Sequence, residues 1–282
     1  MASILCLLMS LPAGSCWAAT VEISDETEQS SASDPMPFLL ELYEEEDYNG
    51  LRTEALRADH ETSDPRYRYL AALARVEQDQ DDGLRELTTL TEDSEVGELA
   101  TLAIASVWME EAPRLSAAHY RAYLDLHPEG AHRMHAAGQE AYALAAEGRF
   151  GMARTVLESE GVAVGPELLS TLSDPPKWKR PALASFLSGA LPGAGQLYAG
   201  QPREAASALL VNAMFIGGMT YAARQEQWAA FGVLAFFGVG FYSGNVYGAA
   251  DAAIRHNRGV RDDILDDFEA AGLEPAPPML GP

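Results

Sequence analysis

The sequence predicts an all-α protein in two unlike parts: an α-solenoid of helix pairs, followed by a transmembrane helical hairpin with a preceding re-entrant or third span. Three observations carry this reading. Apolar positions recur at helical spacing from Phe38 onward, turn signals return at intervals of 28, 32 and 35 residues, and three long uncharged runs lie toward the C-terminal end.

The charge divides the 282 residues in the same way. Acids outnumber Lys and Arg 42 to 19, a net charge of -23. A general nucleic-acid binder needs a basic face, so this class is excluded. Residues 1–176 carry 33 acids and 11 Arg, whereas residues 177–258 carry only 3 acids against 7 basic groups. The acid excess returns in residues 259–282, read as an acidic tail. Within the middle region the uncharged runs are residues 181–202, 205–223 and 227–250. At 1.5 Å per residue the last two reach roughly 29 and 36 Å as helices, enough for a hydrocarbon layer of about 30 Å.

The N-terminus reads as a leader. Residues 4–11 are apolar, Pro12 and Gly14 break the run, and Cys16 and Ala18 put small residues before a cut at Ala19. A basic n-region is lacking. Lipidation of Cys16 and an uncleaved anchor stand as alternatives to a cleaved signal peptide of residues 1–18. Both cysteines, Cys6 and Cys16, lie in this segment, which leaves no disulfide framework for the body of the chain. Residues 19–36 are acidic, Ser-rich and poor in aromatics, as suits a solvated tether.

First helices of successive pairs are expected near Phe38, Arg66, Glu98 and Arg133. The fourth unit is the clearest, with Ala141 and Leu144 before Gly148, Arg149 and Phe150, then Ala153 and Leu157. Small residues flank a turn glycine where two antiparallel helices approach closely. This pattern resembles the tetratricopeptide repeat, and the resemblance covers residues 37–161. It implies a concave face that holds an extended peptide or a partner's helix. Tyr67, Tyr69, Trp108, Tyr120, Tyr123 and Tyr142 are candidates to line it, against the alternative that they fill space between helices.

No Ser elbow, P-loop, paired carboxylates or cofactor motif is present, so no catalysis and no cofactor are expected. His127, His132 and His135 do not match a metalloprotease spacing and read as surface residues at a repeat turn. Residues 162–181 read as a linker that ends in Lys177, Trp178, Lys179 and Arg180, a cluster suited to the lipid headgroup zone.

The membrane domain is expected over residues 182–258. Its most distinctive string runs from Ser188 through Pro192, Gly193, Gly195, Gln196 and Tyr198 to Gly200. Proline lacks an N–H and the glycines admit positive φ, so a helix entering at Ala182 must break here. The freed backbone groups need partners, which Gln196 and Tyr198 are placed to supply. This Pro-Gly-x-Gly-Gln-x-Tyr-x-Gly turn followed by a hairpin resembles small bacterial domains distantly related to the two-transmembrane domain family. The resemblance implies membrane residence and no defined chemistry.

In the hairpin, Gly240, Gly244 and Gly248 recur every four residues, matched by Ala213 and Gly217 on the partner helix. Close backbone packing between the two helices is the expectation, as is a hydrogen bond from Asn212 to the facing helix. A homo-oligomer through the glycine face is the other use of that pattern. Basic residues on both flanks make two crossings hard to reconcile with an exported repeat domain. A third crossing over residues 182–198, or a re-entrant segment there, relieves part of that conflict.

The function expected is a non-catalytic envelope scaffold in the inner membrane. Its repeat domain is periplasmic, binds a protein partner and no nucleic acid, and is held at the lipid bilayer. An oligomeric channel or transport accessory built from the C-terminal helices is the alternative.

Overall fold

Asp47, Asp64 and Asp79 open three of the helices by accepting backbone N–H bonds from Gly50, Arg66 and Asp82 at 3.0, 2.9 and 3.3 Å. The computed structural model describes residues 34–280, and every regular element among them is an α-helix. The expected signal peptide and nearly all of the expected acidic tether lie outside the described residues. Four pairs come first: α1 (Met36–Glu44) with α2 (Tyr48–Thr62), α3 (Pro65–Gln78) with α4 (Gln80–Leu90), α5 (Gly97–Val107) with α6 (Pro113–Leu126), and α7 (Arg133–Ala146) with α8 (Phe150–Glu160). Each first helix starts within two residues of its expected position, and consecutive helices pack on one another. Gly148, at φ 76°, makes the turn between α7 and α8 that a side chain would strain. Ala141 and Ala153 are fully buried on its two sides.

One feature of this part departs from the expected domain plan. Residues 162–181 are not a plain linker, because α9 (Pro166–Ser173) forms and buries Leu168 and Leu172 in the core of the last two pairs. Leu168, Leu169 and Leu172 have the spacing of a one-sided apolar stripe, with Pro166 at the helix start. Trp178 is half-exposed, with its ring 6.2 Å from that of Phe150 and over Gly148.

The C-terminal part comprises α10 (Pro181–Ala190), α11 (Ala194–Tyr198), α12 (Pro202–Arg224) and α13 (Trp228–Ala270). Two of these are long and apolar enough to cross a membrane, α12 and α13, each with a mean hydropathy of 1.4 over its best window. Their apolar side chains are mostly exposed: Phe236, Val239 and Met214 stand out at 76%, 68% and 68%. A helix in a globular interior would bury them. The third span is not formed, since α10 has 10 residues and extends about 15 Å, half of a bilayer core. Pro192 and Gly193 end it, and α11 turns back beside α13.

The first half of the segment expected to be an acidic tail is helix. α13 has 43 residues and continues about 64 Å without a break. Its last turns insert Val260, Ile264 and Phe268 into the core built by α6 to α9. Acids on one side and apolar groups every four residues on the other let this acidic segment pack as helix.

Candidate functional site

The Pro192 turn is where the buried polar groups of the C-terminal part converge. Ser188, Gln196 and Asn245 are all within 7% exposure, and they bond one another. The Ser188 hydroxyl donates to Gln196 Oε1 at 2.7 Å and accepts from Gly195 N–H at 3.0 Å. Gln196 Nε2 donates to the carbonyl and side-chain oxygens of Asn245 at 3.0 and 3.1 Å. Asn245 Oδ1 also accepts from Gly193 N–H at 3.2 Å, while its Nδ2 donates to the Ser188 carbonyl at 3.2 Å. The backbone groups freed by the break are thus bonded from within the protein, as a site at the edge of lipid requires. Asn245, the group on α13 that completes this network, lies within the stretch that resembles the small bacterial membrane domains, but nothing in the sequence assigned it to the turn.

The glycines have separate duties. A side chain at Gly195 would collide with the Ala184 carbonyl and the Ala249 methyl, and one at Gly193 with the Ala205 carbonyl. Gly193 and Gly200 also sit at φ 89° and 82°. The Tyr198 hydroxyl accepts from Arg180 N–H at 3.1 Å, and its ring lies under the Lys179 ammonium, 5.0 Å from the centroid. Lys179 exchanges two backbone bonds with the Asn257 amide, at 2.7 and 2.8 Å. Part of the basic cluster therefore clamps the linker onto α13. Arg255 binds Asp251 on its own helix, Glu204 at 3.0 Å and Gln201 at 2.9 Å, which ties the start of α12 to α13.

Inside the hairpin, the expected glycine packing is not what brings the helices together. A side chain at Gly217, Gly240 or Gly244 would meet nothing within 4 Å, and at Gly248 only the Gln196 amide at 3.7 Å. Contact runs instead through Gly218 against Leu234 and Gly238 against Phe215, with Phe215 stacked on Phe241 at 4.9 Å. Bulky rings hold the backbones apart, so Ala213 is not a close-contact position either: it is exposed. Asn212 is buried but donates to Ala208 on its own helix, at 2.8 Å, rather than across the hairpin. Gly240 and Gly244 line an open groove of about 1070 Å³ with Asn212, Val239 and Phe241.

Five of the six aromatics proposed as a partner face are buried in the core. Tyr69 and Tyr120 are 0% exposed, Tyr67, Tyr123 and Tyr142 are buried, and Trp108 is partly covered. Large rings are what fill the space between helix pairs otherwise lined by alanine. Tyr123 donates to Glu98 at 2.8 Å and stacks on His127 at 4.8 Å. His135 is not a surface group: burial, with His132 beside it, holds its pKa down to about 4. Among the described residues no group of three or more His, Cys, Asp or Glu is placed to hold a metal.

The chain's own C-terminal segment packs against helices of the repeat pairs. Beyond Ala271, residues 273–280 run from α7 toward α3. Leu273 packs over Gly138, Gln139 Nε2 donates to the Glu274 carbonyl at 2.7 Å, and the buried Tyr69 hydroxyl donates to the Pro278 carbonyl at 2.6 Å. Met279 and Leu280 pack against the core of α1 to α5. The sequence analysis missed this segment because Pro275, Pro277 and Pro278 read only as the end of regular structure.

Comparison with protein-family models, with curated proteins and with solved structures gives no match for this chain.

Proposed function

We propose that the protein is a non-catalytic, membrane-anchored scaffold whose helical-repeat domain engages a protein partner. The observation that carries this reading is α13, one continuous helix that is half of an exposed apolar hairpin at its start and part of the repeat core at its end. Such a helix fixes the repeat domain rigidly at the bilayer, a geometry suited to presenting a binding surface and needing no reacting groups. α12 and α13 bring both ends of the hairpin to the side on which the repeat domain sits. The leader-like N-terminus supports a position of that side outside the cytoplasm, at the inner membrane. Lys177, Lys179, Arg180, Arg203, Arg255, Arg258 and Arg261 then face outward, against the usual bias, with only Arg224 at the far loop.

Photo-crosslinkers at the exposed Leu126 and Met152 are expected to trap one defined protein in intact membranes. Protease added to spheroplasts is expected to digest the repeat domain. Protection of that domain assigns it to the cytoplasmic side, and failure to trap any protein refutes the scaffold. The open face at Gly240 and Gly244 favours a second use, self-association of hairpins, which a crosslinker at Val239 reports as a homo-oligomer.

A further inference from the structure

The tail of the chain shows what the repeat domain recognises. Resting on the scaffold reading, we propose that the groove across α3, α5 and α7 binds an extended, proline-containing apolar segment of a partner protein that carries a Lys or Arg. The chain's own residues 273–280 occupy the groove in cis until that segment displaces them.

Three observations converge on this. First, the groove already holds a peptide, and reads it through main-chain oxygens. Gln139 and Tyr69, 3% and 0% exposed, donate to two carbonyls four residues apart, and between them Pro275, Ala276 and Pro277 line a cavity of about 380 Å³ with Leu73 and Val107. An extended backbone with few N–H groups fits such a site, because proline leaves no donor to satisfy. Second, the tail does not use all that the groove offers. Gln139 Oε1 is buried without a hydrogen-bond partner, although the same amide is aimed at the tail through Nε2. A ligand that also donates there gains a bond that the tail lacks. Third, the cavity is acidic and uncompensated. Glu77, Glu110 and Glu111 line it, and no Lys, Arg or His does. Burial raises the pKa of Glu77, and Glu110 and Glu46 raise it further. The tail beyond Glu274 brings no charged side chain to this wall. A cation beside Ala276 would meet the unpaired carboxylates and so distinguish a partner from the tail.

The cis arrangement sets the competition. Only Ala271 and Gly272 separate the tail from α13, so its effective concentration is on the order of millimolar, and a loose copy cannot compete well. A basic ligand can.

The test uses the full chain in detergent and two fluorescein-labelled peptides followed by anisotropy: residues 273–282 as they stand, and the same peptide with Ala276→Lys. In a second chain, Met279→Asp and Leu280→Asp place charges where the tail packs and expel it, with thermal unfolding confirming an intact fold. Expected are binding of the Lys peptide about fivefold tighter than the unmodified one, and a gain of at least about tenfold for both on the expelled-tail chain. Glu77→Gln with Glu110→Gln is expected to abolish the Lys preference alone. Equal affinity of the two chains, or of the two peptides, overturns the proposal. So does binding that appears only as the chain dimerises, which assigns the groove to a second copy's tail. If neither peptide binds while the Leu126 crosslinker still traps a protein in membranes, the scaffold stands and this groove is not its binding site.

Discussion

Asn245→Leu tests whether the Pro192 turn is held by the polar network. Leucine nearly matches the side-chain volume but cannot bond. Three hydrogen bonds made by the Asn245 side chain disappear: those from Gly193 N–H and from Gln196 Nε2, and that to the Ser188 carbonyl. Gln196 keeps its bond to the Asn245 carbonyl, so its amide is not stranded. At about 0.6 kcal/mol for each polar contact between membrane helices, the loss is about 2 kcal/mol. Gly193 N–H is left buried and unpaired, and a penalty of about 1–3 kcal/mol for such a group raises the expected total to about 3–5 kcal/mol. Asn212→Leu is the matched control. Its amide reaches only the Ala208 carbonyl on its own helix, so the substitution is expected to cost less than about 1 kcal/mol. Reversible unfolding of both variants in mixed micelles by SDS titration gives the comparison. An Asn245 variant no less stable than the Asn212 variant refutes the idea that the network fixes the turn.

Gly244→Leu is expected to leave the hairpin folded within about 1 kcal/mol in the same titration, because a Cβ there meets nothing within 4 Å and the position opens onto the groove; it is expected to weaken any homo-oligomer seen by crosslinking. Phe268→Ala empties a site with no solvent exposure, next to Tyr142 at 5.8 Å between ring centroids, and is expected to cost about 3–5 kcal/mol in thermal unfolding. A loss below about 1 kcal/mol would show that α13 does not end in the repeat core. His135 is neutral in the folded chain down to pH about 4 because burial opposes its charge, whereas the unfolded chain takes up the proton near pH 6.5. Folding stability therefore falls as the pH drops from about 6.5 to 4, by about 3 kcal/mol, and His135→Leu is expected to flatten that part of the pH profile.

Helix pairs were legible in the sequence wherever an aspartate cap, a helix-starting proline or a turn glycine coincided with the apolar period, as at Asp64, Pro65 and Gly148. The break at Pro192 was legible for the same reason: backbone chemistry is local. Gln196 was legible as part of that break, but the role of Asn245 was not, because it lies 49 residues from Gln196 and nothing in an apolar helix marks which amide will face it. The tyrosines were left between a binding face and inter-helix packing because a ring's spacing fixes its helix side but not what covers that side. Here the cover is partly the chain's own C-terminus, reached across 209 residues at the bond from Tyr69 to Pro278. Gly240 and Gly244 were misread. Small residues permit close packing, but Phe215 and Phe241 decide the separation of the helices.

The position of these clamps along α13 bears on how the molecule works. Asn245 holds the turn, Arg255 holds the start of α12, and Phe268 sits in the repeat core; consecutive points are 10 and 13 residues apart, about 15 and 20 Å. A helix pinned at three places along roughly 35 Å has little freedom to bend, so hairpin and repeat domain move as one body. The tail leaves this helix after only two residues and enters the groove. Pulling the tail out therefore acts at the end of α13 and not on a slack linker. Gly272, at φ 74°, is the joint where that exchange begins. The helix would transmit a change in groove occupancy only if releasing residues 273–280 also loosens Phe268. The expelled-tail chain then exchanges the amides of residues 260–270 faster than the unchanged chain, while those around Asn245, held by their own network, keep their protection.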